Sequence, residues 1–144
     1  MGNIAATIAL AKFRNTTDIE IIKNLFTVEE DEAYAIHCVI EFPNEAFYPL
    51  LITVFEKEWK EKYYSYSKWR ALYQALANYP KLETYKLFDR TIKVRDEFRK
   101  QTLGTYLALA LYKYPTPFFE PLKAGIKLDD YHLNELQEYK NMDK

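Results

Sequence analysis

The sequence is poor in the residues that cross-link, break or anchor a chain. Its one cysteine, Cys38, excludes an intrachain disulfide and makes a reducing, cytoplasmic compartment the simpler expectation. Three glycines leave no Gly-rich loop to cradle a phosphate. With little β-branched alternation as well, sandwiches and barrels give way to helices. No apolar run reaches the ~18 residues of a membrane span, and Met1 to Leu10 lack the basic region of a secretory signal. Gly2 invites a myristoylation reading, but Ala6 stands where that pattern needs Ser or Thr. A net charge of −1 and a pI near 6.2 give no global attraction to nucleic acid or anionic membrane.

Concentrated chemistry is missing too. His37 and Cys38 are helix neighbours whose side chains diverge, so they read as a structural histidine and a core cysteine. His132, near Asp129 and Asp130, is one histidine at a solvated helix start, too thin for a metal site. Glu29, Glu30, Asp31 and Glu32 lack the alternating ligands and central glycine of an EF-hand. Instead they suit the N-terminal turn of a helix. No catalytic residue, metal ligand or cofactor site is expected.

What is present is aromatic and amphipathic. Aromatics make up 17% of the 144 residues, with 13 Tyr and 9 Phe. The stretch WRALYQALANYPKLETYKLFDRTIK, Trp69 to Lys93, reads as two helices joined at Asn78-Tyr79-Pro80. Leu72, Ala75, Leu76 and Tyr79 fall at i, i+3, i+4, i+7, and Tyr85, Leu87, Phe88 and Ile92 roughly repeat that spacing. Similar hairpins are expected elsewhere. The first passes Ile8, Ala9, Leu10 and Phe13, then Ile19, Ile22, Leu25 and Phe26. The second passes Ala35, Cys38, Val39 and Phe42, turns at Pro43-Asn44, and continues through Phe47, Leu50, Leu51, Val54 and Phe55 into a solvated stretch from Lys57 to Lys62. The fourth runs inward from Asp96 through Phe98, Leu103, Tyr106, Leu107, Leu109, Ala110 and Leu111 to Tyr114-Pro115. Gly104 inside it implies a packing reason or a break. Thr116-Pro117 opens another helix with Phe119, Leu122 and Ile126 inward and Gly125 at its end. Asp129 or Asp130 caps a last helix with Leu133, Leu136 and Tyr139 inward.

Set on Phe13, Phe42, Tyr79 and Tyr114, the four turns are 29, 37 and 35 residues apart. Three positions earlier stand Leu10, Val39, Leu76 and Leu111; four earlier, the small residues Ala9, Cys38, Ala75 and Ala110. One position earlier stand Lys12, Glu41, Asn78 and Lys113. An aliphatic ridge beside a small residue lets helices approach closely, and the polar column faces water. An irregular helical bundle is the alternative.

The Trp69-Arg70 pair, the Ala75-Leu76 pair and the Pro80 turn resemble a HEAT-like repeat, echoed by Phe98-Arg99 and Tyr114-Pro115. The resemblance is best over residues 69–128. It implies an all-α, right-handed α-α superhelix (α-solenoid): one domain of about four hairpins, approximately 4–31, 32–66, 67–94 and 95–128, with a C-terminal capping helix at 129–141. Such repeats bury their faces only by stacking.

Charge is divided unevenly. Residues 1–61 carry 5 Lys/Arg against 11 Asp/Glu, and residues 81–128 carry 10 against 5. In a HEAT-like stack the second helices line the concave surface, which would place Lys86, Arg90, Lys93, Lys123 and Lys127 there. The expected function is a non-catalytic protein–protein interaction module for an acidic partner segment. Tyr63, Tyr64 and Tyr66 are candidate aromatic anchors at the edge. The alternatives, by analogy of fold, are a DNA-binding or alkylpurine DNA glycosylase-type protein and, more remotely, a bilin lyase-like protein.

Overall fold

Proline lacks an N–H and disfavours helical geometry in the residue before it, so aromatic–proline pairs are natural helix stops. The computed structural model describes residues 16–61 and 65–142, and its helices end at or just before Phe42-Pro43, Tyr79-Pro80 and Tyr114-Pro115, while Tyr48-Pro49 opens one. Seven α-helices occur among the described residues: α1 (Ile19–Leu25), α2 (Glu32–Glu41), α3 (Tyr48–Lys60), α4 (Tyr66–Leu76), α5 (Leu82–Lys93), α6 (Glu97–Lys113) and α7 (Asp130–Met142). Short 3-10 segments cover Thr16–Asp18, Glu29–Asp31, Glu45–Phe47 and Pro117–Gly125. The described residues contain no strand, and the protein is all-α. None of the described helices is long and apolar enough to cross a membrane. The chain divides into two compact units, Met1–Asn78 and Tyr79–Lys144. That division falls at the turn of the third expected hairpin. The expected helix through Ile8, Ala9, Leu10 and Phe13, and the tyrosines Tyr63 and Tyr64, lie outside the described residues.

One turn is built twice, once in each unit. At Phe42-Pro43-Asn44 the helix α2 ends with Phe42 at φ −132°, ψ 77°. At Tyr114-Pro115-Thr116 the helix α6 ends with Tyr114 at φ −126°, ψ 66°. The Phe42 N–H donates to the Cys38 carbonyl at 2.8 Å and the Tyr114 N–H to the Ala110 carbonyl at 2.9 Å. Two residues on, Asn44 (φ −144°, ψ 144°) accepts on its side chain from the Ala46 N–H. Thr116 (φ −148°, ψ 139°) likewise accepts from the Phe118 N–H. A buried phenylalanine follows five residues after each aromatic anchor, Phe47 in one turn and Phe119 in the other. The proline ends one helix, the Asn or Thr side chain caps the next, and the phenylalanine pins the turn to the core.

In the first unit α2 packs against α1 and α4, and α3 against α4. Ala35, Cys38, Ala71 and Ala75 are buried at these faces beside Ile36, Val39, Leu72 and Leu76. Small residues next to aliphatic ones let the helices close together. Phe55 meets Trp69 edge-on at 5.1 Å and stacks on Trp59 at 5.6 Å, while Trp69 stacks on Tyr73 at 5.5 Å. The buried Cys38 thiol is pushed up to about 11 by its burial and by the neighbouring Glu41 charge, which leaves it protonated and unreactive at neutral pH. His37 is exposed on α2 and has a partner there, as a structural histidine does.

The charged stretches of this unit differ most from expectation. Glu32 is in the first turn of α2, as expected, but is only 4% exposed, and Glu58, in the stretch expected to be solvated, is 6% exposed. The Lys57 Nζ donates to both Glu32 oxygens at 2.7 Å, and the Lys68 Nζ donates to Glu32 Oε1 at 3.0 Å. Lys68 also lies 3.6 Å from Glu58 Oε1. Residues from α2, α3 and α4 thus share one buried ion network. Burial works to lower the Lys68 pKa, but the hydrogen bond and charge of Glu32, with Glu58 and Glu29 behind them, more than offset it and hold it above the ordinary lysine value.

In the second unit α6 packs on both α5 and α7, and Pro117–Gly125 packs on α5. From Gln101 to Leu111 every residue of α6 is buried except the half-buried Ala108. Phe88 meets Phe119 at 4.9 Å. Pro117–Gly125 winds as a 3-10 segment rather than an α-helix, with Pro121 inside it supplying no N–H donor. Two expected inward residues point out instead: Phe98 is 55% and Leu133 49% exposed.

The ion network sets a measurable asymmetry. Glu32→Ala takes the hydrogen-bonding carboxylate from Lys57 and Lys68, leaves buried Lys68 only the longer Glu58 contact, and should cost about 1.5–3 kcal/mol. Lys57, whose side chain is 36% exposed, should cost about 1 kcal/mol or less when replaced by alanine. Urea melts measure both; equal, small losses would contradict a buried network centred on Glu32.

Candidate binding site

The sequence-predicted basic residues all belong to the second unit. Lys86, Arg90 and Lys93 follow i, i+4, i+7 spacing on α5, one helical face. Lys86 and Lys93 are exposed and Arg90 half-buried. Lys93 is paired with Asp89 at 2.8 Å, and that hydrogen bond holds its pKa above the ordinary lysine value. Lys123 is paired with Glu120 at 3.2 Å, both on Pro117–Gly125. Lys86 and Lys127 are exposed and meet no carboxylate of the described residues at ion-pair distance. Tyr66, 48% exposed, opens α4 in the first unit.

A feature that sequence reasoning missed sits beside Lys123 and Lys127. A cavity of about 250 Å³ is lined by Ala108, Leu111, Tyr112, Lys123, Ile126, Leu128, Leu133, Leu136 and Lys140. Its floor is α6, its far wall is α7, and the segment 126–128 closes one side. That segment is held by Gln101, itself 8% exposed. The Gln101 Nε2 donates to the Lys127 carbonyl at 3.1 Å and to Glu97 Oε1 at 2.9 Å, while its Oε1 accepts from the Asp129 N–H at 2.9 Å. Gly104 is the packing reason that the sequence implied. A Cβ there would stand 3.3 Å from Leu128 Cδ2, so the missing side chain lets the cavity wall close on α6.

The far wall is fixed by a helix cap. Asp129 Oδ1 accepts from the His132 backbone N–H at 2.9 Å and lies 2.7 Å from His132 Nδ1. The backbone N–H first, then the ring, hold the Asp129 carboxyl below the ordinary aspartate range. At the rim the Lys140 ammonium stands 4.6 Å above the Tyr112 ring. No described carboxylate forms an ion pair with Lys140. The cavity therefore presents an apolar interior and two ammonium groups.

The described residues hold no group of three or more His, Cys, Asp and Glu side chains arranged for a metal ion. Comparison with family models, curated proteins and solved structures gave no match to this chain.

Gln101 offers the cleanest test of how the wall is held. Gln101→Ala leaves the Asp129 N–H and the Lys127 carbonyl without their partner and should cost about 1–3 kcal/mol. Lys100→Ala, one residue away, should change stability by about 0.5 kcal/mol or less. Hydrogen exchange should also quicken at Asp129 in the Gln101 variant; unchanged exchange there would show that other contacts hold the segment.

Proposed function

We propose that this chain is a non-catalytic protein–protein interaction module of HEAT-like helical hairpins that binds an acidic segment of another protein through its second unit. The observation that carries the reading is the disposition of lysines. In the first unit Lys57 and Lys68 are neutralised internally by Glu32 and Glu58. In the second unit Lys86, Lys127 and Lys140 meet no described acid at ion-pair distance. Such charges favour a negatively charged partner and speed its encounter. Two features support the hairpin repeat: the recurring aromatic–proline turn, and the packing of α2 on α4, the first helices of consecutive hairpins. In such a stack Lys86, Arg90 and Lys93 would share a surface with Lys123 and Lys127.

Random-peptide display tests the reading without a known partner. Selection on the wild-type protein should enrich peptides in Asp and Glu, and selection on Lys86→Glu/Lys127→Glu should lose that enrichment. Both positions are exposed, so the variant should keep its helical circular dichroism. A consensus indifferent to charge, or one shared by the folded variant, would refute acidic-segment binding.

A further inference from the structure

The cavity between α6, α7 and residues 126–128 has a size and polarity that the acidic-segment reading does not use. Leu111, Ile126, Leu128, Leu133 and Leu136 form an apolar interior, and Leu133 is 49% exposed where that interior opens to water. A volume of about 250 Å³ exceeds the ~150 Å³ that takes a benzene-sized guest. It falls just short of the roughly 300 Å³ at which drug-sized sites begin. That range suits one short hydrocarbon chain rather than a steroid or a nucleotide. The two charged groups lining it, Lys123 and Lys140, are both cations. Glu120 already contacts Lys123 at 3.2 Å, in an exposed pair that a ligand anion can replace. Lys140 is held over Tyr112 rather than paired with an acid.

We propose that this cavity is a binding site for a small amphiphilic carboxylate, a short hydrocarbon chain ending in an anionic head. The chain lies against Leu111, Ile126, Leu128 and Leu136, covering the exposed face of Leu133. The carboxylate sits at the rim between the Lys140 and Lys123 ammonium groups, where charge-assisted hydrogen bonds replace its water. Gln101 and Gly104 act indirectly by holding the wall in place. The apolar interior belongs to this site alone, and Lys140 at its rim is shared with the acidic-segment reading.

Octanoate is the probe, titrated below its micelle concentration into methyl- and amide-labelled protein. Shifts are expected at Leu111, Ile126, Leu128, Leu133 and Leu136. Octanol and octyltrimethylammonium, of the same chain length, should bind at least about tenfold more weakly, as an anionic head gains charge-assisted bonds that they cannot make. Lys140→Glu should weaken octanoate by a similar factor. Ala108→Phe places a ring in the cavity from a half-buried position and should abolish binding while the helical spectrum is retained. Octanol binding as tightly as octanoate, binding that survives Ala108→Phe, or shifts confined to other residues would overturn the proposal. So would association with phosphatidylglycerol vesicles without any response to free octanoate, which would mark a membrane surface instead.

Discussion

A single buried carboxylate organises the first unit. Glu32 opens α2, and burial of an ionised carboxylate is tolerable only with partners close at hand. Lys57 of α3 and Lys68 of α4 supply them, so three helices meet at one charge. Around that point the faces are small and apolar, with Ala35, Cys38, Ala71 and Ala75 permitting close approach. Apolar packing provides most of the attraction, yet it is tolerant of sliding. An ion network with fixed donor positions is less so, and it ties α3 and α4 to the start of α2. The hydrogen bond and charge of Glu32, with Glu58 behind them, hold the Lys68 pKa above the ordinary lysine value, so that lysine stays charged at neutral pH.

The second unit solves the same problem with little charge. Its central helix α6 is buried around most of its circumference, and the fit is made by shape. Gly104 removes a side chain where Leu128 must approach, and Gly125 does so beside Ile92, 3.1 Å from where a Cβ would stand. Gln101 satisfies the loop polar groups that this close approach takes out of water. Since lysines are not needed to neutralise buried acids here, several remain available at the surface. This contrast, Lys57 and Lys68 engaged by buried acids in one unit and Lys86, Lys127 and Lys140 without an acid at ion-pair distance in the other, links the packing to the proposed binding.

Much of the helical layout was legible because proline and capping chemistry are local. Phe42-Pro43-Asn44 and Tyr114-Pro115-Thr116 announced their turns, and Asp129 its cap; the Asp96 cap of α6 went unread. The core columns Cys38–Val39, Ala75–Leu76 and Ala110–Leu111 are buried as their spacing implied. The ion network was not legible. Glu32 and Lys68 are 36 residues apart, and a run such as Lys57 to Lys62 looks solvated until its partners are known. Leu133 misled for the opposite reason: its spacing fits an inward face, but α7 covers α6 incompletely and leaves a cavity. Such a cavity is set by how two helices and a loop fail to fill space, which no periodicity records. Only the glycine at 104 hinted that something packs unusually there.

The central claim is that the second unit attracts acidic ligands while the first does not. The most direct measurement is a residue-by-residue map of amide shifts as a short polyglutamate peptide is titrated into the labelled protein. The account predicts shifts concentrated around Lys86, Lys127 and Lys140, diminishing as salt is raised. Shifts centred on Glu29 to Glu61, or no response to polyglutamate beside a clear response to duplex DNA, would contradict it.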